Sequence, residues 1–257
     1  IERRVPGKFF PRIQVIEYAR AFLIGRISWS RMNGLLIISG AIGMFDREAV
    51  IGAGGYLTET VGEDMELVVR MRRYMYERGI RHKVIYLPDP LLWTEVPDNR
   101  KILGRQRNRW MRGTMDTLFV HKRLFFNPRY GSLGMLGYPY WFFFEWMAPI
   151  VEFFGFLYFF TMALLGAINW PLFLTILLFI YLFALSFSFF SILYDELTFH
   201  PYQSPRENFR LFLSAMAEPF LYHPLVVYWS IRGNISYLRG NRAWGSMKRV
   251  GFSDQAH

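Results

Sequence analysis

Two long stretches that carry almost no charge constrain the fold of this chain most strongly. Between residues 131 and 194 the only charged side chains are Glu145 and Glu152. Within this region, Tyr138–Ile168 and Trp170–Tyr194 each exceed the ~20 helical residues that cross a bilayer core of ~30 Å. Tyrosine and tryptophan residues gather at their margins, as they do at membrane–water interfaces. The sequence therefore predicts two transmembrane helices.

The role of the acidic residues in this apolar part stays open. Glu145 and Glu152 are seven residues apart and so share one face of a helix. They either line a path for a transported molecule, because acidic residues at membrane depth are functional candidates by default, or pair with a basic residue of an interfacial helix. We favour the pairing. The same alternatives apply to Glu218 in a third apolar segment, about Leu211–Ile231, which spans the membrane, re-enters it or lies in the interface.

The end of the chain is basic. Arg232, Arg239, Arg242, Lys248 and Arg249 follow one another without an intervening acidic residue. Under the positive-inside tendency this tail lies in the cytoplasm. If the charged first half is cytoplasmic as well, the number of membrane crossings is even.

The first half of the chain mixes helical and strand patterns. An amphipathic helix is predicted over residues 12–32, and Asp46 is predicted to cap a short helix. The spacing of His82, His121, His200 and His223 is not that of metal ligands, so they are predicted to be structural or interfacial. Longer helices are predicted from Gly62 to about Arg78 and from about Arg100 to Phe125. Short buried strands are predicted at Leu35–Ser39, Ala41–Phe45, Lys83–Leu87 and Leu91–Glu95.

Charge and cysteine content exclude several kinds of function. The net charge is +10, but the basic residues border the apolar stretches instead of forming a soluble patch, which argues against a nucleic-acid partner. Lipid phosphates are the expected partners of Arg105, Arg112, Lys122 and Arg123. The absence of cysteine excludes disulfides and thiolate metal sites.

Two motifs resemble those of processive family-2 glycosyltransferases. Gln106-Arg107-Asn108-Arg109-Trp110 matches their Q-x-x-R-W signature, and Glu63-Asp64 is similar to their T-E-D motif, with Gly62 in place of the threonine. Ser39-Gly40-Ala41 and Gly54-Gly55-Tyr56 extend the likeness. Cellulose, chitin, hyaluronan and poly-N-acetylglucosamine synthases are members of this family. The resemblance implies the second half of an α/β catalytic domain of the GT-A type, followed by interfacial and transmembrane helices.

Physical chemistry supports the roles that the resemblance implies. Inverting transfer needs a carboxylate to take the proton of the acceptor hydroxyl, and Asp64 at a helix N-terminus is favoured in its ionised form. Glu63 orients its neighbours. Gln106, Arg107 and Arg109 are expected at the donor diphosphate, where negative charge grows in the transition state. Trp110 offers a flat surface for the acceptor sugar, beside Ser39 and Gly40.

Family members bind the nucleotide and a divalent cation, Mg²⁺ or Mn²⁺, through aspartates that include a D-x-D motif. No D-x-D occurs in this chain. The resemblance therefore implies that a preceding region or a partner chain supplies most of the donor site, and no metal ligand is assigned here.

The predicted organisation has three parts. Residues 1–130 form the C-terminal part of the cytoplasmic catalytic domain, 131–231 the transmembrane region and 232–257 a cytoplasmic tail. The predicted protein is an enzyme of the inner membrane that transfers sugar from a nucleotide-sugar, a UDP-sugar by resemblance, to a growing β-linked polysaccharide. Two alternatives remain: a transferase that adds single sugars to a lipid carrier, and a non-catalytic membrane subunit of a synthase or export complex.

Overall fold

The computed structural model describes residues 6–38, 40–89, 91, 94–199 and 205–241. Ten α-helices lie in these ranges, and short π- or 3₁₀-helical turns join some of them. In chain order they are α1 (Phe9–Ala19), α2 (Ile27–Arg31), α3 (Arg47–Gly52), α4 (Glu63–Glu77), α5 (Arg100–Val120), α6 (Tyr138–Tyr140), α7 (Ala148–Leu164), α8 (Trp170–Phe199), α9 (Pro205–Leu221) and α10 (His223–Leu238).

The chain begins with one helical rod, as the amphipathic pattern predicted. The rod runs through α1, a π-helical segment (Arg20–Arg26) and α2. Its apolar side, with Ile13 and Ile16 fully buried, packs against α8 and α9. We call this segment, residues 9–31, the first rod.

Local signals set the ends of the next helices. The side chain of Asp46 accepts a hydrogen bond from the backbone N–H of Ala49 at 2.8 Å, which confirms the predicted cap of α3. Gly79, with φ of +69°, follows α4 in the left-handed region that favours glycine. The side chain of Asn99 caps α5, which ends at Val120, about one turn earlier than predicted.

The predicted strands do not form in the described residues. The described residues of these segments have turns, bends or no regular structure and belong to no sheet, and a strand exists only as a partner in a hydrogen-bonded ladder. Side chains instead form hydrogen bonds with some backbone groups of these segments. Arg72 donates to the carbonyl oxygen of Leu35 at 2.7 Å, and Ser30 Oγ accepts from the backbone N–H of Tyr86 at 2.9 Å. An α/β catalytic domain therefore stays an inference from the resemblance.

The two long apolar helices are present. Residues Leu133–Leu164, which include α6 and α7, and Trp170–Phe199 are long and apolar enough to cross a membrane. None of the first helix's most apolar window is buried within the protein, and only 17% of the second's is. Such an apolar outer surface needs apolar surroundings beyond the chain itself. We call these segments the first and second long helices.

The third apolar segment is not one helix. Chain direction changes at Tyr222, which separates α9 from α10, and Pro224 stands in the first turn of α10. Neither helix meets the length and composition of the two long helices. Arg239 and Asn241 follow α10, and most of the predicted tail, residues 242–257, lies outside the described residues.

Candidate active site

One face of α5 carries the Q-x-x-R-W residues. Gln106, Arg109, Trp110 and Gly113 stand at positions i, i+3, i+4 and i+7, a spacing that puts them in one row along a helix. Trp110 is 40% exposed, so a large part of its ring is open to a ligand. The side-chain oxygen of Gln106 is buried and has no hydrogen-bond partner among the described residues. Buried acceptors are normally satisfied by a protein group, a ligand or an ordered water, so this oxygen is able to accept a further hydrogen bond.

A contact between two glycines brings the second motif to this face. A Cβ atom built on Gly62 would lie 2.7 Å from the Cα of Gly113, so the two backbones touch. Asp64 follows Gly62 by two residues. Trp110 precedes Gly113 by three residues, or about 4.5 Å along the helix axis. The start of α4 therefore crosses α5 about one turn from Trp110.

Asp64 lies in the first turn of α4, against the backbone of Gly40. Its Oδ1 accepts a hydrogen bond from the backbone N–H of Met65 at 2.8 Å. Its Oδ2 would be 2.9 Å from a Cβ atom on Gly40. Position 40 therefore leaves space for the carboxylate because it has no side chain. Ser39, predicted beside it, lies outside the described residues.

Glu63 and Arg109, also predicted at the site, are both half-buried at the same crossing. Glu63 opens α4 one residue before Asp64, and Arg109 stands in the same α5 row as Gln106. The structure thus places Asp64 against Gly40, and the start of α4 against the row of α5 that carries Gln106, Arg109 and Trp110.

Arg26 adds a cation that the sequence did not indicate. Burial lowers the pKa of the Arg26 guanidinium, and the nearby Tyr86 and Asp64 partly offset that effect. The guanidinium carbon lies 4.2 Å from the ring centre of Phe22 on the same rod. In the sequence Arg26 is one of several arginines of an amphipathic helix, and no local signal separates it from the others.

Arg107 has a different environment from the one predicted. Its guanidinium forms an ion pair with Glu17 of α1, and the Tyr222 hydroxyl donates to the same carboxylate at 3.0 Å. Burial by itself would lower the pKa of Arg107, but Glu17 and Tyr222 raise it above the usual value. The diphosphate role of Arg107 stays a prediction, and its charge is already matched inside the protein.

A buried polar network connects α4 with the residues that follow α3 and α5. Glu66 and His121 are 1% and 0% exposed, and His121 Nε2 lies 3.1 Å from Glu66 Oε1. Arg73 donates to His121 Nδ1 at 2.9 Å, so this histidine donates to Glu66 through Nε2. Arg70 donates to the other Glu66 oxygen at 3.0 Å and to the backbone carbonyls of Ala53 and Gly55.

Histidine and arginine predictions had mixed outcomes. His82, His121 and His223 form hydrogen bonds with other protein groups, so their structural or interfacial role stays a prediction, while His200 lies outside the described residues. The prediction that Arg112 meets lipid phosphates is wrong. Arg112 is 6% exposed and donates to the carbonyl oxygen of Asn241 at 2.8 Å. Its place in the long helix α5 faces the protein interior.

The acidic residues of the apolar part form pairs. Glu152 lies 2.6 Å from His223 of α10, and Glu218 forms an ion pair with Arg20 of the first rod. The pairing interpretation is thus confirmed for Glu152 and Glu218. Glu145 instead hydrogen-bonds to Tyr140.

The residues present do not fit a metal ion. No group of three or more histidine or acidic residues comes together within the part of the chain that the structure describes. The divalent cation implied by the resemblance has no set of ligands here, and no chemical step is assigned to one.

Comparison with known proteins identifies the class. The glycosyl transferase family group 2 matches residues 3–192. The chain belongs to this family, the class that its two motifs indicated.

The chain is also similar to individual curated enzymes. A poly-beta-1,6-N-acetyl-D-glucosamine synthase of Staphylococcus epidermidis is 30% identical over 107 residues, which are 42% of this chain and 24% of the relative. The enzyme of the same name from Staphylococcus aureus strain COL is 34% identical over 109 residues, with the same coverage. The chain thus matches about a quarter of the length of these curated relatives. No solved structure matches it.

Proposed function

We propose that this chain forms the acceptor side of a processive polysaccharide synthase. The enzyme transfers a sugar from a nucleotide-sugar to a growing β-linked chain, and the names of its relatives favour UDP-N-acetylglucosamine as donor. The observation that supports the proposal is the backbone contact of Gly62 with Gly113, because Asp64 follows Gly62 by two residues and the exposed Trp110 precedes Gly113 by three.

The proposed reaction is a single displacement at the anomeric carbon. Asp64 takes the proton from the acceptor hydroxyl as its oxygen attacks that carbon. The bond to the diphosphate breaks, the configuration inverts and the nucleoside diphosphate leaves with the bonding electron pair. Arg109 and Gln106 supply donors for the charge that grows on the leaving group. Glu63 orients the groups around Asp64.

Trp110 is the proposed platform for the acceptor. An aromatic ring holds the apolar face of a sugar, which fixes the attacking hydroxyl near Asp64. Gly40 leaves room beside the carboxylate, and Ser39 is proposed to contact the same sugar. Product transfer through the two long helices is compatible with this arrangement.

The rest of the donor site is proposed to lie on other polypeptide, either a preceding region or a partner chain. That polypeptide would bind the nucleotide and Mg²⁺ or Mn²⁺ and would supply strands to pair with the segments near Leu35 and Tyr86. The two long helices are proposed to anchor the chain in the inner membrane, with residues 1–130 and the basic tail in the cytoplasm.

Sugar incorporation by Asp64→Asn tests the proposal. Membranes that contain the complete synthase are offered a panel of labelled UDP-sugars, and product length is measured on gels. We expect long products from the unmodified protein and a loss of about 10²- to 10⁴-fold in Asp64→Asn, because its amide cannot accept the proton.

Asp89→Asn is the matched control, since Asp89 is an exposed carboxylate that is not among the proposed site residues. It should retain full activity. Normal incorporation by Asp64→Asn would contradict the base assignment. Products longer by only one sugar would favour a lipid-carrier transferase instead.

A further inference from the structure

The carboxylate of Glu17 joins three distant parts of the chain. It forms an ion pair with Arg107 of α5, 90 residues away, and accepts a hydrogen bond from Tyr222, 205 residues away between α9 and α10. Glu17 itself belongs to the first rod. The first rod, α5 and the junction between α9 and α10 are therefore joined at one carboxylate.

This cluster is well shielded from water. Tyr222 is 1% exposed, and the side chains of Arg107 and Glu17 are 12% and 20% exposed. Charge-assisted hydrogen bonds are stronger and more directional than neutral ones, and shielding strengthens them. Glu17 therefore restricts the Arg107 guanidinium to one position.

Arg107 in turn contacts the proposed acceptor platform. Its guanidinium carbon lies 4.5 Å from the ring centre of Trp110, within the range of a cation–π contact. The two residues are one helical turn apart on α5. One face of the ring is thus covered by Arg107, and the 40% exposure of Trp110 leaves surface for a sugar.

We infer that Glu17 and Tyr222 are positioning residues that hold Arg107 against Trp110, so that Arg107 orients the acceptor platform and does not bind the donor diphosphate. The inference rests on the proposed function. A diphosphate would have to compete with Glu17 for a guanidinium whose charge is already matched. Arg109 stands in the same row of α5 as Gln106 and Trp110 and remains the proposed donor ligand.

The test separates acceptor handling from donor binding. Glu17→Gln, Tyr222→Phe and Arg107→Lys are assayed for product length, for KM toward a short soluble acceptor and for affinity toward UDP alone. Tyr222→Phe removes one hydroxyl and leaves the ring packing, so it keeps the test informative if Glu17→Gln folds poorly. Asp98→Asn, which breaks the exposed pair with Lys8, is the control.

We expect Glu17→Gln and Tyr222→Phe to shorten the products and raise the acceptor KM about tenfold, the size expected for losing a hydrogen bond to a charged group. Affinity for UDP should stay within about twofold in all three variants. The double variant of Glu17→Gln with Arg107→Lys should behave like Arg107→Lys alone, because Glu17 acts through that residue.

Two results would overturn the inference. One is a tenfold or larger fall in UDP affinity in Arg107→Lys, which would return Arg107 to the diphosphate. The other is normal product length and acceptor KM in both Glu17→Gln and Tyr222→Phe. Failure of the proposed function has a different signature, because the unmodified protein and Asp98→Asn would then also make no polymer.

Discussion

Different kinds of contact stabilise the region around the crossing of α4 and α5 and the two long helices. At the crossing, contacts join residues far apart in the chain, such as Glu17 with Arg107, Gly62 with Gly113 and Glu66 with His121. In the long helices, hydroxyl groups mainly bond to the carbonyl four residues earlier in the same helix. Thr161 donates to Leu157, Thr175 to Pro171 and Ser186 to Leu182.

This difference shows what each region depends on. A long apolar helix satisfies its own backbone and needs only apolar surroundings, so many substitutions on its outer surface are expected to be neutral. The crossing depends on particular atoms at particular places. The predictions below compare matched substitutions in the two regions.

The largest effect is expected from adding one methyl group at each of two helical glycines. In Gly113→Ala the new Cβ would lie 2.7 Å from the Cα of Gly62, so α4 must move away from α5. A displacement near 1 Å between catalytic groups costs about 100-fold in rate. In Gly155→Ala of the first long helix nothing lies within 4 Å of the new Cβ.

Polymerisation rates of both variants check this prediction. We expect about a 100-fold loss for Gly113→Ala and a change within about twofold for Gly155→Ala. Equal rates in the two variants would show that the glycine contact does not set the geometry of the site.

A smaller effect is expected from removing a buried donor. Arg72 is 1% exposed and holds the carbonyl oxygens of Leu35 and Asn33 at 2.7 and 2.6 Å. Arg72→Met leaves both carbonyl oxygens without their guanidinium donor, and we expect a loss of about 2 kcal/mol of stability. Thr161→Val removes a hydrogen bond within the first long helix and should cost less than about 0.5 kcal/mol.

Melting temperatures of the two variants in detergent micelles measure this difference. Arg72→Met should melt several degrees below the unmodified protein and Thr161→Val close to it. A Thr161→Val variant that melts as low as Arg72→Met would contradict the contrast between the regions.

The smallest effect is a pH dependence of opposite sign at two histidines. Burial lowers the pKa of His121, so its contribution to stability is present above the unfolded value of 6.5 and is lost as the pH falls below it. The hydrogen bond to Glu152 raises the pKa of His223, whose contribution is present below 6.5 and is lost as the pH rises through the folded value.

Melting temperatures between pH 5 and 8 test both signs. The cost of protonating His121 is at most about 1.4 kcal/mol per pH unit below 6.5. His121→Gln should therefore flatten the loss of stability in acid, and His223→Gln should steepen it. Parallel curves for the two variants would show that neither pair is coupled to folding.

Features that depend on local sequence could be predicted, and features that depend on distant partners could not. The cap at Asp46, the glycine end of α4 and the two long helices follow from nearby residues or composition. The strand predictions were wrong for the described residues, because a strand forms only when a second segment pairs with it and the sequence of one segment does not show its partner. The sequence assigned Arg107 to the donor diphosphate and Arg112 to lipid phosphates, because their protein partners Glu17 and Asn241 lie 90 and 129 residues away.

The candidate site shows the same limit. The spacing of Gln106, Arg109 and Trp110 was enough to predict their shared helix face. The contact of Gly62 with Gly113 had no signal in the sequence, because a glycine in a helix is compatible with many neighbours. The same holds for Arg26, whose position near Asp64 depends on how the first rod packs.

The first rod has one further consequence. Arg20 binds Ser188 of the second long helix at 2.8 Å and pairs with Glu218, while Glu17, about one turn away on the same rod, holds Arg107. The first rod thus connects the second long helix to the carboxylate that holds Arg107 near Trp110. If the second long helix crosses the membrane as proposed, a change in its tilt would move Arg20, and the first rod would carry that movement to Glu17 and Arg107.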